Sequence, residues 1–194
     1  MKKLILASNS PRRRQLLTDL GLRYDVRLRE VDESFPAHLR RADIAEYLAA
    51  HKASAYRADL QPDEVLLTAD TIVCLDEQVL NKPADEAEAV GMLSQLQGRA
   101  HDVYTGVCLL TGDGREVVFS DHTRVHFRPL SEAQIRYYVQ HYRPLDKAGA
   151  YGAQDWIGLV AVTRLEGSYF NVMGLPVHRV YEELEKLGFG VSGA

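Results

Sequence analysis

The chain has 194 residues, of which 46% are hydrophobic and 26% charged, with a formal net charge of −4. That length fits one medium domain, or one domain with two lobes, and can bury a core without metal or disulfide staples. The acidic balance excludes a surface that attracts nucleic acid or membranes as a whole, so any functional positive charge must be local.

Met1-Lys2-Lys3 precedes an uncharged run too short for a secretory core, and no stretch approaches the ~18 apolar residues of a membrane helix. The expected address is the cytoplasm, with neither a membrane nor a stable nucleic-acid partner. Leu4-Ile5-Leu6 reads as a short buried strand. Ser8 and Ser10 bracket a turn, and Pro11 is a favoured first helical residue after a Ser cap. The helix that follows carries Leu16, Leu17 and Leu20 on one face and stops at Gly21. Its first turn holds Arg12, Arg13 and Arg14, where the helix's own partial positive charge favours acidic residues. Free N–H groups, Ser hydroxyls and guanidinium forks are the parts of a phosphate site. The alternative is a solvated basic face that happens to begin a helix.

Tyr24 to Leu28 alternates and predicts a second strand, followed by a loop through Val31-Asp32-Glu33 and Ser34-Phe35-Pro36. From about Asp43 to Arg57 the pattern is helical, and Ile44, Leu48, Lys52 and Ala55 share one stripe. A Lys on an apolar stripe either snorkels to water or meets an anion. Val65 to Leu75 is the most hydrophobic run and predicts a central strand covered on both faces, with Asp70 in its middle. A buried carboxylate is costly unless it is paired, hydrogen-bonded or on a metal. Backbone N–H groups would satisfy a structural Asp; the apolar surroundings favour a functional one. Val79-Leu80 leads to Asn81-Lys82-Pro83, where the proline keeps Lys82 extended.

Asp85 and Glu88 form a capping pair for a helix with Ala89, Met92, Leu93 and Leu96 inward and a stop at Gly98. A hairpin follows, from His101 to Leu110 and from Glu116 to Phe127, around Gly112-Asp113-Gly114. His122 and His126 cannot chelate a metal together, because positions four apart on a strand are separated by ~13 Å. Cys74 and Cys108 sit in apolar strand-like runs and read as free buried thiols of a reducing compartment. Ser131 with Gln134 is a capping box for a helix of Ile135, Tyr138, Val139 and Tyr142. Leu145 to Asp155 is a long loop of specific composition, which points to function. Ile157 to Leu165 and Ser168 to Val172 read as a second hairpin, Pro176 opens a last helix ending at Gly188, and the final six residues read as a tail. The order predicts an α/β or α+β chain with a mixed sheet and no clean domain boundary, with residues near 98–150 suited to a second lobe.

No single motif is decisive, and there is no Walker A loop, kinase signature, GxGxxG, GxSxG or Cys/His zinc spacing. The set is more informative. Arg12, Arg13, Lys52 and Lys82 suit a polyphosphate, and Glu33 and Asp70 suit a divalent ion and a positioned water.

The chain resembles the Maf family of nucleoside triphosphate pyrophosphatases over nearly its whole length. The segments that carry the resemblance are Leu6-Ala7-Ser8-Asn9-Ser10-Pro11-Arg12-Arg13, Val31-Asp32-Glu33, Lys52-Ala53, Ala69-Asp70-Thr71-Ile72-Val73, Lys82-Pro83, Thr105-Gly106-Val107, Pro144 to Gly152, and Gly174-Leu175-Pro176. The resemblance implies a single Maf-like domain over residues 1–194: an α/β fold, Maf/ITPase-like, with a mixed twisted sheet, flanking helices and two lobes around a deep cleft. It also implies a homodimer. The implied reaction is hydrolysis between the α- and β-phosphates, giving a monophosphate and pyrophosphate, with a divalent cation (Mg²⁺ or Mn²⁺). Asp70 matches the proton acceptor, and Arg12, Thr71 and Gln154 match positions that mark the subgroup acting on dTTP and UTP. Expected phosphate-binding residues are Ser8, Arg12, Arg13, Lys52 and Lys82, with Lys52 and Lys82 also serving catalysis; Glu33 and Asp70 are the expected metal ligands. Two departures stand out: Thr68 replaces a common Gly, and Asp155 follows Gln154 where Gly is common. The alternatives are the same reaction on 7-methyl-GTP, CTP or inosine-type nucleotides, and a non-catalytic nucleotide-binding regulator of division. The regulator would keep the cations and lose the central carboxylate, yet Asp70 and Glu33 are both present.

Overall fold

The computed structural model describes residues 2–189. Of the expected tail, all but Phe189 lies outside the described residues. The elements run β1 (Lys3–Leu6), α1 (Pro11–Asp19), β2 (Tyr24–Val26), α2 (Ala42–Ser54), β3 (Glu64–Leu75), β4 (Gln78–Leu80) and α3 (Glu86–Leu96). They continue with β5 (Ala100–Thr111), β6 (Glu116–Phe127), α4 (Glu132–Tyr142), a 3₁₀ turn (Ala148–Ala150), α5 (Trp156–Ala161), β7 (Val162–Glu166), α6 (Tyr169–Met173) and α7 (Val177–Lys186). Seven strands form one mixed sheet in the order β2-β1-β3-β5-β6-β7, with β4 paired to β3. The α/β expectation with flanking helices holds. No described helix is long and apolar enough to cross a membrane.

The chain divides into two compact units. The first comprises residues up to 70, 105–121 and from 174 onward; the second comprises 71–104 and 122–173. In the first unit β1 runs parallel to both β2 and β3, with Leu4 opposite Tyr24 on one side and Val65 on the other. Flanked on both edges, Leu4, Ile5 and Leu6 are buried as an apolar run must be. Ile5, Leu66, Cys108 and Leu110 pack with Ala49, Ala53 and Tyr56 of the α2 segment. Glu64 accepts two hydrogen bonds from Arg27, at 3.1 and 2.7 Å, which ties the chain after β2 to the start of β3. The Arg27 hydrogen bonds hold the Glu64 carboxyl below its usual range despite burial.

In the second unit β4 returns antiparallel along β3 (Val73 opposite Leu80), and β7 pairs antiparallel with β6. Its core gathers Val73, Leu80, Leu93, Val125, Tyr138 and Ile157. The Ser131–Gln134 capping box is present in both directions, at 3.3 and 2.9 Å. Cys74 and Cys108 are free and buried, and burial pushes the Cys108 thiol up to about 12.

The second predicted hairpin is corrected. Residues 156–161 form a short helix, only Val162–Glu166 is strand, and Tyr169–Met173 is helical. Ile157 and Ala161, four apart, are the buried face of α5. A short apolar run does not reveal whether its period is two or 3.6, and here tertiary packing decides. In α6 the Asn171 side chain is wholly buried and donates to the Val103 carbonyl at 3.1 Å and to Thr123 Oγ1 at 3.0 Å.

Candidate active site

The start of α1 is built as its sequence predicts. Ser10 is the N-cap, with its hydroxyl accepting from the Arg13 N–H at 3.4 Å, and Pro11 follows at the first helical position. Ser8 is buried and its Oγ accepts from the Ser10 N–H at 3.2 Å and from Arg13 Nη1 at 3.4 Å. Arg13 Nε donates to the Gly174 carbonyl at 2.7 Å. The half-buried Arg13 thus anchors the helix start to the turn before α7, a contact the sequence did not announce. Burial lowers its guanidinium pKa, Asp70 and Glu33 oppose that shift, and Arg12 adds to it. Arg13 therefore lies in the same electrostatic neighbourhood as both carboxylates. Arg12, half-buried, stands beside it in the first turn.

Asp70 lies in the middle of β3, and its side chain is 13% exposed. Lys52, in the last turn of α2, is 17% exposed and hydrogen-bonds Asp70 Oδ1. The same Nζ is 2.7 Å from Glu33 Oε1. Lys52 therefore meets anions rather than snorkelling, as one reading of its apolar stripe required. Glu33 comes from the loop after β2, where Asp32 Oδ1 accepts the Ser34 N–H at 3.2 Å in a local Asx turn. The Ser34 hydroxyl also bonds Asp32, and these hydrogen bonds hold the Asp32 carboxyl below its usual range.

Two features set the distance of α2 from the strands. Thr68, fully buried in β3, donates its hydroxyl to the Ala49 carbonyl at 2.7 Å, so this departure from the family pattern is hydrogen-bonded. Gly106 of β5 faces the α2 backbone so closely that a Cβ would stand 2.1 Å from the Ala45 carbonyl oxygen. Only glycine permits that approach.

Ser8, Arg13, Glu33, Lys52 and Asp70 are thus brought together in the first unit. Thr71, Lys82 and Gln154 belong to the second. Thr71 follows Asp70 in β3 and is half-buried, Lys82 is exposed just after β4, and Gln154 is half-buried in the turn before α5. Gln154 Oε1 is buried with no hydrogen-bond partner among the described residues. Asp155 accepts a 2.7 Å hydrogen bond from the Tyr138 hydroxyl, which in turn accepts the Gly152 N–H at 3.2 Å. The helical pattern marks Tyr138 only as a core residue. The available signal was that a buried tyrosine hydroxyl needs a polar partner. His122 and His126 bond separately to Asp102 and Glu166, at 2.8 and 2.7 Å.

Chemically, two carboxylates converge on one ammonium. The shared Lys52 nitrogen shows that Glu33 and Asp70 can reach a single cation, and their oxygens are hard donors of the kind Mg²⁺ or Mn²⁺ takes. Among the described residues no three His, Cys, Asp or Glu side chains group into a metal cage. A pair of carboxylates completed by water and phosphate oxygens is the usual way a protein holds Mg²⁺.

The chain is 53% identical over 186 residues to a dTTP/UTP pyrophosphatase of Bacteroides thetaiotaomicron, covering 95% of this chain and 96% of that one. It is 46% identical to a dTTP/UTP pyrophosphatase of Cytophaga hutchinsonii, covering 95% and 84% of the two chains. Among solved structures, the Ham1 protein of Staphylococcus aureus gives a partial likeness: TM-score 0.46 and 17% identity, over 65% of this chain and 72% of that one. The family described as Maf-like protein matches residues 3–187, and the chain belongs to that family.

Proposed function

We infer that this protein is a nucleoside triphosphate pyrophosphatase that hydrolyses dTTP and UTP to the monophosphate and pyrophosphate. The observation that carries the reading is Lys52 held between Glu33 and Asp70, in the electrostatic neighbourhood of Arg13 at a capped helix start. Relatives about half identical along the whole chain bear the name dTTP/UTP pyrophosphatase.

The roles follow from the chemistry of the groups. Asp70 takes a proton from the attacking water. The water oxygen bonds to the α-phosphorus as the bond to the α–β bridging oxygen breaks, and that oxygen leaves with its electron pair on pyrophosphate. Arg12, Arg13, Lys52 and Lys82, with the Ser8 hydroxyl, bind the phosphates and neutralise the charge that develops on the leaving group. Glu33 and Asp70 would hold a divalent cation, Mg²⁺ or Mn²⁺, which when bound polarises phosphate oxygens and makes water more acidic. Lys52, now on the two carboxylates, would pair with phosphate oxygens of the bound substrate. Gln154 reads the base edge with one donor and one acceptor; Thr71 and Arg12 complete the specificity set.

The test is product analysis on a panel of nucleoside triphosphates with Mg²⁺, alongside Asp70→Asn. Pyrophosphate and monophosphate from dTTP and UTP, lost in the variant, are expected. Release only from 7-methyl-GTP or inosine-type substrates would overturn the pyrimidine assignment. Tight triphosphate binding without any release would overturn the enzyme.

A further inference from the structure

Asp155 is an N-cap residue whose side chain does not cap its own helix. Its backbone starts α5 by accepting from the Gly158 N–H at 2.9 Å, while its N–H donates to the Gly152 carbonyl at 3.0 Å and closes a turn around Gln154. The carboxylate is turned instead to the Tyr138 hydroxyl, with Lys147 Nζ 3.9 Å away. Tyr138 is fully buried on α4, and its oxygen holds both ends of the turn through the Gly152 N–H and Asp155 Oδ2. Burial, and then Asp155, push the phenol upward, so it stays a proton donor to the carboxylate.

Gln154 lies folded over Gly152. A Cβ on Gly152 would stand 2.7 Å from Gln154 Nε2 and 2.7 Å from Asp155 Oδ2. The amide nitrogen and the carboxylate thus border the same small volume. A carboxylate attracts an NH₂ group and repels a carbonyl oxygen, so Asp155 sets which end of the amide faces it. The other end, Oε1, is then a buried acceptor without a partner among the described residues. Such a group is costly unless a ligand supplies a donor.

Orientation of this amide has a chemical consequence. Uracil and thymine present a ring N–H donor beside a carbonyl acceptor. Cytosine presents a bare ring nitrogen beside an amino donor, the opposite order. A freely turning Gln matches both; a fixed one matches one. We propose that Asp155, held by Tyr138, is a positioning residue that fixes the Gln154 amide with its oxygen toward the substrate, and thereby selects uracil and thymine against cytosine. The proposal rests on the reading of Gln154 as the residue that meets the base.

The experiment compares UTP and CTP in the unmodified protein, Gln154→Ala, Asp155→Asn and Tyr138→Phe, reading KM and kcat separately, with thermal unfolding alongside. Titration with α,β-imido UTP and CTP gives the same ratio without hydrolysis. The expected result is a UTP preference that falls by about tenfold in Asp155→Asn, mainly through KM, and less in Tyr138→Phe, which keeps the carboxylate. Asparagine retains an acceptor for the Tyr138 hydroxyl, so Asp155→Asn carries the test even where Tyr138→Phe unfolds. An unchanged ratio in a folded Asp155→Asn overturns the positioning role. An unchanged ratio in Gln154→Ala overturns the underlying reading of the base contact. A ratio that collapses in Gln154→Ala alone leaves that reading standing and removes only Asp155 and Tyr138 from it. No UTP preference in the unmodified protein overturns both.

Discussion

Lys52 and Asp70 meet across eighteen residues of sequence, an ammonium from the end of one helix on a carboxylate in the middle of a buried strand. Both side chains are mostly shielded from water, so removing Lys52, which Glu33 also meets, leaves the Asp70 carboxylate uncompensated. Lys52→Met is expected to lower turnover by about 10²–10³-fold, the usual loss for one electrostatic contact to a developing charge. It is also expected to cost a few kcal/mol of stability, of the order of ~3. The double variant Lys52→Met/Asp70→Asn should recover much of the stability and none of the activity. Denaturant unfolding beside kinetics checks this; two stability losses that simply add would remove the coupling.

Gly106 controls where Lys52 stands. A Cβ there would overlap the Ala45 carbonyl, which is backbone and cannot swing aside. Gly106→Ala must therefore displace α2, at a cost of about 1–3 kcal/mol or more. Because Lys52 sits on that helix, turnover should fall with stability. A Gly106→Ala protein with unaltered melting temperature and rate would contradict the close approach.

Glu33 tests the metal assignment separately from the base. Its side chain is 47% exposed, so Glu33→Gln should leave the fold intact. If Glu33 is a ligand, the Mg²⁺ concentration giving half-maximal activity should rise by roughly 10–100-fold, and chelation should abolish turnover in the unmodified protein. The same Mg²⁺ requirement in both proteins would remove Glu33 from the ligand set.

The elements that build the first unit's site were legible because their signals are local. Ser10-Pro11 caps α1, the apolar run of β3 is placed to within one residue, and Lys52 lies on its helix stripe by simple periodicity. What joins them was not legible in the same way. The approach of Glu33 to Lys52 depends on a loop, and the Arg13 contact with Gly174 links residues 161 apart. The misread hairpin has the same cause. A six-residue helix shows too few turns to reveal its period, and Asn171 is held by residues on β5 and β6 that local patterning does not contain. Tyr138 read correctly as core, but its bond to Asp155 is a tertiary fact.

His101 gives a pH dependence whose sign is fixed by burial. It is 1% exposed, its Nε2 hydrogen-bonds the Tyr151 hydroxyl at 2.8 Å, and Phe127 packs edge-on against its ring. Burial pulls its pKa down to about 3, only partly offset by Asp102, so the folded protein holds it neutral. The unfolded chain protonates it near pH 6.5. The stability from this neutral ring is therefore fully present above about pH 6.5 and is lost as pH falls toward 3, at up to ~1.4 kcal/mol per unit. Carboxylates such as Glu64, held below their usual range, lose their contribution only at lower pH. The interval from about pH 6.5 to 5 is thus where His101 is read most cleanly. His101→Gln, which keeps a hydrogen bond for Tyr151, should flatten the stability profile across that interval. Unfolding free energies measured at half-unit steps decide it: an equally steep fall in the Gln variant would mean that another group takes up the proton.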